Sequence, residues 1–246
     1  MADRSYIGKG KVYLGPYGGG GALVSVGNCS RLELSIDEEK KELLDFTSAG
    51  GGKANVVSRI TGVTVGMTLH DISPENLAKA LRGTSSAVTA AAVTNEAHTA
   101  YKGGLVVFDS LPDPAQPVTV TGAGGTPTYT EGTDYVRTRT GIEVLAGGSI
   151  TDGSTIEVDY TKAASDVVEA LTQAGAEFTL VFDGLNEAQG GKAVSVRLHR
   201  VKFSPAQGLG FIADEFAGLE LTGEVLKDES ITGSGLSQYL QVTLAQ

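Results

Sequence analysis

The sequence predicts a mainly β protein of two packed sheets, a sandwich or half-barrel, with one short helix outside and a long loop. Three observations predict this class. Apolar and polar residues alternate with a period of two in several segments, the pattern of strands with one buried face. A single segment carries helix signals at both ends. The 34 glycines show no repeat and mostly separate the alternating segments, where they indicate turns.

Four strands are expected before the helix. Residues 6–14 and 23–26 predict a first hairpin. Residues 31–36 alternate between polar and apolar side chains, and residues 55–69 form a second extended run. The apolar parity of this second run changes near Gly62, which predicts a β-bulge or bend at that point.

The helix follows directly. Ser73 is a suitable N-cap, Pro74 fits the first helical position, and Gly83 is a natural stop. A helix this short is marginal alone in water, so it must lie on the sheet. The side chains expected to make that contact are Ile72, Leu77 and Leu81.

A long loop is predicted between the second pair of strands, at residues 37–53. It exceeds the roughly 12–15 residues beyond which structureless loops become uncommon. Two interpretations remain open: a flexible loop whose apolar residues fold back, or a contact arm that buries its apolar centre on a neighbouring subunit. The contact residues in the second interpretation are Asp37, Glu38, Glu39, Lys40, Lys41, Leu43, Leu44 and Phe46.

The composition changes at Thr84 and changes back after Ala164. Residues 84–99 are rich in Ser, Thr and Ala, which indicates a linker or a weak edge strand. Short strands follow at the spacing of a small β-sandwich, with Asp152-Gly153 as a hairpin-turn dipeptide. We therefore predict an inserted Ig-like β-sandwich domain at residues 85–164, dispensable for the remainder, and a discontinuous core domain at residues 1–84 and 165–246.

The alternation resumes after the insert. Strands are expected near residues 178–182, 194–203, 219–225 and 240–244, with a change of parity that makes Val201 and Phe203 apolar partners.

Charge and cysteine content exclude several classes of protein. The 246-residue chain has a formal net charge of −10, which argues against a surface that grips DNA phosphates or anionic membranes. The single cysteine, Cys29, cannot form an intrachain disulfide. Neither a secretory signal nor a membrane-length apolar run is seen, so folding in a cytoplasm is expected.

The sequence carries no set of residues typical of catalysis. His70, His98 and His199 lie in unrelated contexts and predict no metal site. Gly52-Lys53 lacks the remainder of a phosphate-binding loop, and Asp214-Glu215 is interpreted as a solvated pair. We expect no enzymatic activity and no cofactor.

Several stretches resemble one protein family. The first half of the chain resembles the tail tube proteins of long-tailed bacteriophages. The resemblance lies in the order of a strand, an oversized loop and a second strand, followed by ISPENLAKALRG. The stretches FTLVFDGLNEAQGGKAVSVRLHRVKFSP and GLELTGEVLKD are similar to the second half of those proteins. YTEGTDYVRTRTGIEVLAGGSITDGSTIEVDY resembles inserts found in some of them.

This resemblance implies a structural virion protein that assembles in the host cytoplasm. Its subunits would form hexameric rings whose inner sheets close into one barrel, and the rings would stack into a tube. The long loop would then be the ring-to-ring contact. Expected partners are further copies of the chain and the terminator, tape-measure and distal tail proteins. Double-stranded DNA would pass through without specific binding, and this subunit would make no membrane contact.

The lumen would be lined by the polar faces of some strands. We select three acids as candidates: Glu33, Glu220 and Glu224. An ordinary solvated outer face is an equally good interpretation of each strand. A different class of function also stays open, a secreted or surface-displayed β-sandwich adhesin or binding module, which the insert's pattern favours and the absent signal peptide disfavours.

Overall fold

The computed structural model describes residues 4–47 and 49–246 and confirms the mainly β class. The first elements are β1 (Gly8–Pro16), β2 (Val24–Ser25), β3 (Cys29–Leu44), β4 (Lys53–Leu69) and helix α1 (Pro74–Ala80). The middle elements are β5 (Thr84–Val88), β6 (Ala91–Ala100), β7 (Leu105–Val107), β8 (Thr119–Gly122), β9 (Thr128–Tyr129), β10 (Tyr135–Arg137), β11 (Gly141–Val144), β12 (Ser154–Lys162) and β13 (Ser165–Glu169). The last are β14 (Glu177–Asn186), a 3₁₀ turn (Glu187–Gln189), β15 (Lys192–Phe203), β16 (Leu219–Leu226) and β17 (Leu240–Leu244).

The chain divides into two compact units. The core unit comprises Met1–Thr84 and Val168–Gln246, and the insert unit comprises Ser85–Val167. The first border coincides with the change of composition at Thr84, and the second lies a few residues beyond Ala164. The strands that lead into and out of the insert, β5 and β13, pair with each other.

The core unit contains one antiparallel sheet of eight strands in the order β2-β1-β14-β15-β16-β4-β3, with β17 also paired to β15. β15 pairs with β17 along residues 194–198 and with β16 along residues 200–203. The two predicted sheets are therefore two halves of one sheet that share β15. The halves enclose one core, to which Leu14 and Leu180 contribute from one half and Met67 and Leu221 from the other.

The predicted change of parity in β15 is confirmed. Leu198 and Val201 are both buried although three positions apart, and they pair with Leu180 and Phe178, which are only two positions apart. The extra residue in β15 is a β-bulge, which restores inward-facing side chains in the second half of the strand.

The helix packs on the core differently from the prediction. Its buried residues are Asn76, Ala78 and Ala80. Leu77 is half-buried against the core cluster, whereas Ile72 and Leu81 are half-buried and lie outside that cluster. A polar side chain helps to attach the helix, because the Asn76 Nδ2 donates to the Val26 carbonyl at 2.9 Å and to the Asp71 carbonyl at 2.8 Å. The residues that pack closest are small, so the helix lies close to the sheet.

Both helix ends are capped. The Ser73 hydroxyl accepts a hydrogen bond from the Asn76 backbone at 3.2 Å, which confirms the predicted N-cap. At the C-terminus Arg82 adopts the left-handed φ of +48°, and the Gly83 N–H donates to the Ala78 carbonyl at 2.7 Å. Gly83 is required for space, since a Cβ there would lie 2.1 Å from the Glu169 carbonyl oxygen.

The insert unit is a small β-sandwich. A four-stranded sheet, β6-β12-β8-β9, and a three-stranded sheet, β10-β11-β7, share one core. Residues 91–100 form an edge strand of the larger sheet, so the linker interpretation of residues 84–99 is wrong. Asp152-Gly153 is a turn but not a hairpin turn, because the strands before and after it, β11 and β12, belong to different sheets.

We predict that the insert can be removed without unfolding the core unit. Within the core unit the two stems are held together by hydrogen bonds from the Leu171 N–H to the Leu81 carbonyl and from the Gln173 N–H to the Arg82 carbonyl, both 2.9 Å. Replacing residues 85–167 with a Gly/Ser linker of about four residues should leave a soluble protein. Circular dichroism should show strand structure and cooperative unfolding. An insoluble product would contradict this prediction.

Candidate assembly surface

Part of the β3–β4 hairpin extends beyond the core. At its base Val63, Val65, Met67 and Leu69 point into the core and are buried. Every residue of β3 from Glu33 onward, and every residue of β4 up to Thr61, is exposed. We call residues 37–47 and 49–61 the arm, a two-stranded ribbon with solvent on both faces.

A β-bulge marks the place where the arm begins. Ile36 pairs with Val63 and Asp37 with Gly62, but Glu38 pairs with Ile60, so Thr61 is the extra residue. This confirms the predicted irregularity near Gly62. A bulge bends the strand and increases its twist locally, which lets the arm leave the curvature of the sheet.

The prediction of a long loop at residues 37–53 is wrong. β3 runs on to Leu44, and only residues 45–52 connect the strands. Charged side chains stabilise the extension in pairs along each face, with N–O distances of 3.2 Å for Lys40–Glu38 and 3.9 Å for Lys41–Glu39. Lys53 pairs across the strands with Glu42. The sequence pattern missed this extension because the alternating side chains are charged on both faces.

The arm carries apolar side chains that nothing in the described chain covers. Phe46 at the tip is 83% exposed, and Ile60 in the middle is 64% exposed. Leu43, Leu44, Val56 and Val57 are also exposed. A two-stranded ribbon alone is at best marginally stable in water, because it buries too little apolar surface. The arm is therefore a part of the core unit that would gain stability from contact with another molecule.

The three predicted lumen acids share one face of the sheet. Glu33 pairs with Gly66 in β4, and Glu220 and Glu224 pair with Thr68 and Thr64 of the same strand. All three acids are exposed and oppose the core. Their face is not purely acidic, however. Arg31 donates to Glu33 at 2.7 Å and lowers the pKa of that carboxyl. Lys202 lies beside Glu224 in β15.

The core unit also contains a bidentate ion pair that the sequence did not indicate. Arg200 donates two hydrogen bonds to Glu177, both 2.8 Å, and its guanidinium lies 5.2 Å from the centre of the Tyr17 ring. The Tyr17 hydroxyl in turn donates to Asp228 at 2.9 Å. These contacts join the loop after β1 to β14, β15 and the segment after β16, so we assign the cluster a structural role.

The insert unit contains a cluster of Glu96, His98, Asp109 and Tyr160. The Glu96 Oε1 accepts from the His98 Nε2 at 2.6 Å and from the Asp109 backbone at 2.9 Å, and its Oε2 accepts from the Tyr160 hydroxyl at 2.7 Å. Glu96, His98 and Asp109 offer ligand atoms within 4.8 Å of one another, as a metal site would. Both Glu96 oxygens already accept hydrogen bonds, so we interpret the cluster as a support for β6. The only sequence signal for this cluster was the Glu-x-His spacing, which places Glu96 and His98 on one face of β6.

The cluster shifts two pKa values. Burial raises the pKa of Glu96, but hydrogen bonds from the Asp109 backbone, His98 and Tyr160 outweigh it and bring that pKa below its ordinary value. Burial and the hydrogen bond to Glu96 raise the pKa of Tyr160 to about 12. The Tyr160 contribution to stability is therefore complete below pH 10 and is lost as the pH rises through about 12.

We predict that Tyr160→Phe reduces the loss of stability at alkaline pH. At neutral pH the variant should lose roughly 1–3 kcal/mol, because a partly buried Glu96 oxygen loses its donor and the Ser110 N–H loses its acceptor. Above pH 10 its stability should fall less steeply than that of the wild type, since no hydroxyl at residue 160 can ionise. Urea unfolding at a series of pH values measures both effects, with the exposed Tyr101→Phe as control. Equal slopes for Tyr160→Phe and the wild type would contradict the prediction.

The structure brings together no catalytic set at the positions considered from the sequence. Asp214 and Glu215 are both exposed. Within residues 4–47 and 49–246, no helix combines the length and apolar character that crossing a membrane requires.

No curated protein matches the chain. The profile of a family described as "Protein of unknown function UCP028589" matches residues 5–243, which is nearly the whole sequence. The chain therefore belongs to this family.

Proposed function

We propose that the protein is a structural subunit that assembles into a tube, as the major tail tube protein of a long-tailed bacteriophage. The observation that carries this proposal is the arm. A ribbon exposed on both faces, with an apolar tip, gains stability when it is buried on another subunit. The resemblance of the sequence stretches to tail tube proteins supports the same function.

The edges of the core sheet support lateral association. β3 is an edge strand along all of its sixteen residues. At the other edge, β2 pairs only with Tyr13 and Leu14, so in the described chain no strand pairs with the outer side of Gly8–Lys11. Unpaired edges of this length favour pairing with another chain. Contact between β3 of one subunit and β1 of the next around a ring would close the sheets of six subunits into one barrel.

The charge of the protein suits a channel for DNA. A net charge of −10 disfavours binding to phosphates, so a duplex could slide without being held. The terminator, tape-measure and distal tail proteins would be the further partners at the tube ends.

Electron microscopy of the concentrated protein tests the proposal directly. Rings or tubes are expected, together with a mass in solution that rises with protein concentration. Discrete monomers at all concentrations would overturn the proposal and favour a binding module.

We predict that the arm makes the ring-to-ring contact. The triple variant Leu43→Ser, Leu44→Ser, Phe46→Ser should stay folded, with a change in unfolding free energy below about 1 kcal/mol, because all three side chains are exposed. Tubes should be absent by electron microscopy, although single rings can remain. The matched control is Leu105→Ser, Val107→Ser, Val136→Ser, which removes three exposed apolar side chains from the insert unit. Normal tubes from the arm variant would place the contact elsewhere.

We predict that Glu33→Lys, Glu220→Lys, Glu224→Lys converts a repulsive lumen into one that holds DNA. Tubes should still form, because the three side chains are exposed and no packing is lost. Linear duplex DNA should be retained by these tubes at low salt and released at high salt, since phosphate contacts release counterions.

The control for this change carries the same added charge on the insert unit: Glu131→Lys, Glu143→Lys, Asp166→Lys. These side chains are exposed and should lie outside the lumen. If a map of the tube shows Glu33, Glu220 and Glu224 on its outer surface, their assignment to the lumen is wrong.

A further inference from the structure

A second apolar surface lies in the connection between β15 and β16. We call residues 204–218 the apolar loop. Three of its side chains are almost completely exposed: Phe211 at 87%, Ile212 at 99% and Phe216 at 98%. Side chains of this size are rarely left in water together unless they contact another molecule.

The core fixes the apolar loop on both sides of these residues. Near its start the Ala206 N–H donates to the Ala80 carbonyl at 2.8 Å, and Leu209 packs against the core cluster. Near its end the Ala217 carbonyl lies 3.2 Å from the His70 Nδ1. Residues 210–216 between these anchors are exposed throughout. The apex is thus held at a defined place on the core unit.

The register of β4 places this loop and the arm at opposite ends of one strand. The loop leads into Leu219, which pairs with Leu69, the last residue of β4. The arm begins near Gly62 and ends beyond Lys53, the first residue of β4. At about 3.3 Å per residue, the seventeen residues of β4 span roughly 50 Å. The arm tip therefore cannot cover the apolar loop of its own chain.

We infer that the apolar loop of one copy receives the arm tip of the next copy. The occupant is a second copy because this chain supplies both surfaces, each unpartnered within the described chain and directed to opposite ends. Such a contact is heterologous and repeats without closing, so it builds a filament or a stack of rings. This inference rests on the proposed function and adds the acceptor surface that the proposal lacked.

Both surfaces also carry charged side chains that could exchange partners in this contact, since among the described residues Lys40, Lys41 and Lys53 pair only with exposed acids of the arm itself. Asp214 and Glu215 lie between Ile212 and Phe216 at the loop apex. The arm carries four exposed cations among its acids: Lys40, Lys41, Lys53 and Arg59. Pairing between these acids and cations would fix the register of the contact, while the apolar side chains would provide most of its area.

Complementation between two defective variants tests the inference. One is the arm variant with Leu43, Leu44 and Phe46 changed to Ser, and the other is the loop variant Phe211→Ser, Ile212→Ser, Phe216→Ser. The two proteins are purified separately, checked for folding by circular dichroism, and then mixed. Each alone should form no stacks. The mixture should form pairs of subunits or rings and stop there, because the arm of the loop variant fits the loop of the arm variant only once.

Disulfide trapping gives a second measurement that does not depend on complete assembly. In a Cys29→Ser background, one protein carries Phe46→Cys and the other carries Ile212→Cys. Oxidation of the mixture should give a covalent dimer, since two thiols lose two electrons and two protons to an added oxidant such as oxidised glutathione. Neither protein alone should give this dimer. Ala115→Cys on the insert unit, mixed with Phe46→Cys, is the control for random contact.

The outcomes separate this inference from the proposed function. If the wild type forms tubes and the folded loop variant does so equally well, the acceptor assignment fails and the proposed function stands. A disulfide dimer from Phe46→Cys alone would show that arms contact each other and would also overturn the assignment. If the wild type forms no assembly at all and no pair of cysteines reacts, both proposals fail.

Discussion

The pairing of β3 with β4 is the constraint on which the remaining structure depends. β4 is buried on one face along its second half, where Val65 and Met67 are almost completely inaccessible to water. That half fixes the register of β16 and of the base of β3, and it anchors the core against which Ala80 of the helix packs. The first half continues the same hydrogen-bonded pairing with no core to cover it. The same two strands therefore provide both the centre of the fold and its most exposed surface.

The two ends of β4 differ in what holds them. The C-terminal end of β4 leads into the helix and is attached to the loop before β16 through the contact of His70 with Ala217. Its N-terminal end has only its partner strand and pairs of surface charges, which stabilise weakly because water screens them. An arm of this kind gains most of its order from whatever it contacts. The two ends of β4 are therefore unequal, and the end with the arm is the one with less support from the core.

The insert unit adds a second sandwich to the chain without interrupting the strands of the core sheet. The chain leaves the core unit at a helix end and returns beside it, and the carbonyls of Leu81 and Arg82 accept hydrogen bonds from the returning segment. Gly83 permits the close approach of the two segments because it has no Cβ. The insert has its own core, and the Tyr160 hydroxyl at its edge makes a partly buried hydrogen bond to Glu96.

The sequence by itself determined the fold class, the buried faces of β15 and β16, the helix N-cap and both bulges, because each follows from local alternation or from a single residue type at a fixed position. The apolar faces predicted for residues 31–36 and for the first half of 55–69 are wrong in part, since Leu34, Ile36, Val56 and Ile60 are exposed. The sequence also identified the arm residues as unusual, but it predicted a loop there. Only the tertiary structure decided that Asp37–Leu44 is a strand, since both of its faces meet water and its alternation is between charges. The clusters around Arg200 and Glu96, the burial of Asn76, and the opposite placement of Phe46 and Ile212 depend on pairing between distant segments. Sequence spacing carries no information about such pairing until the strand register is known.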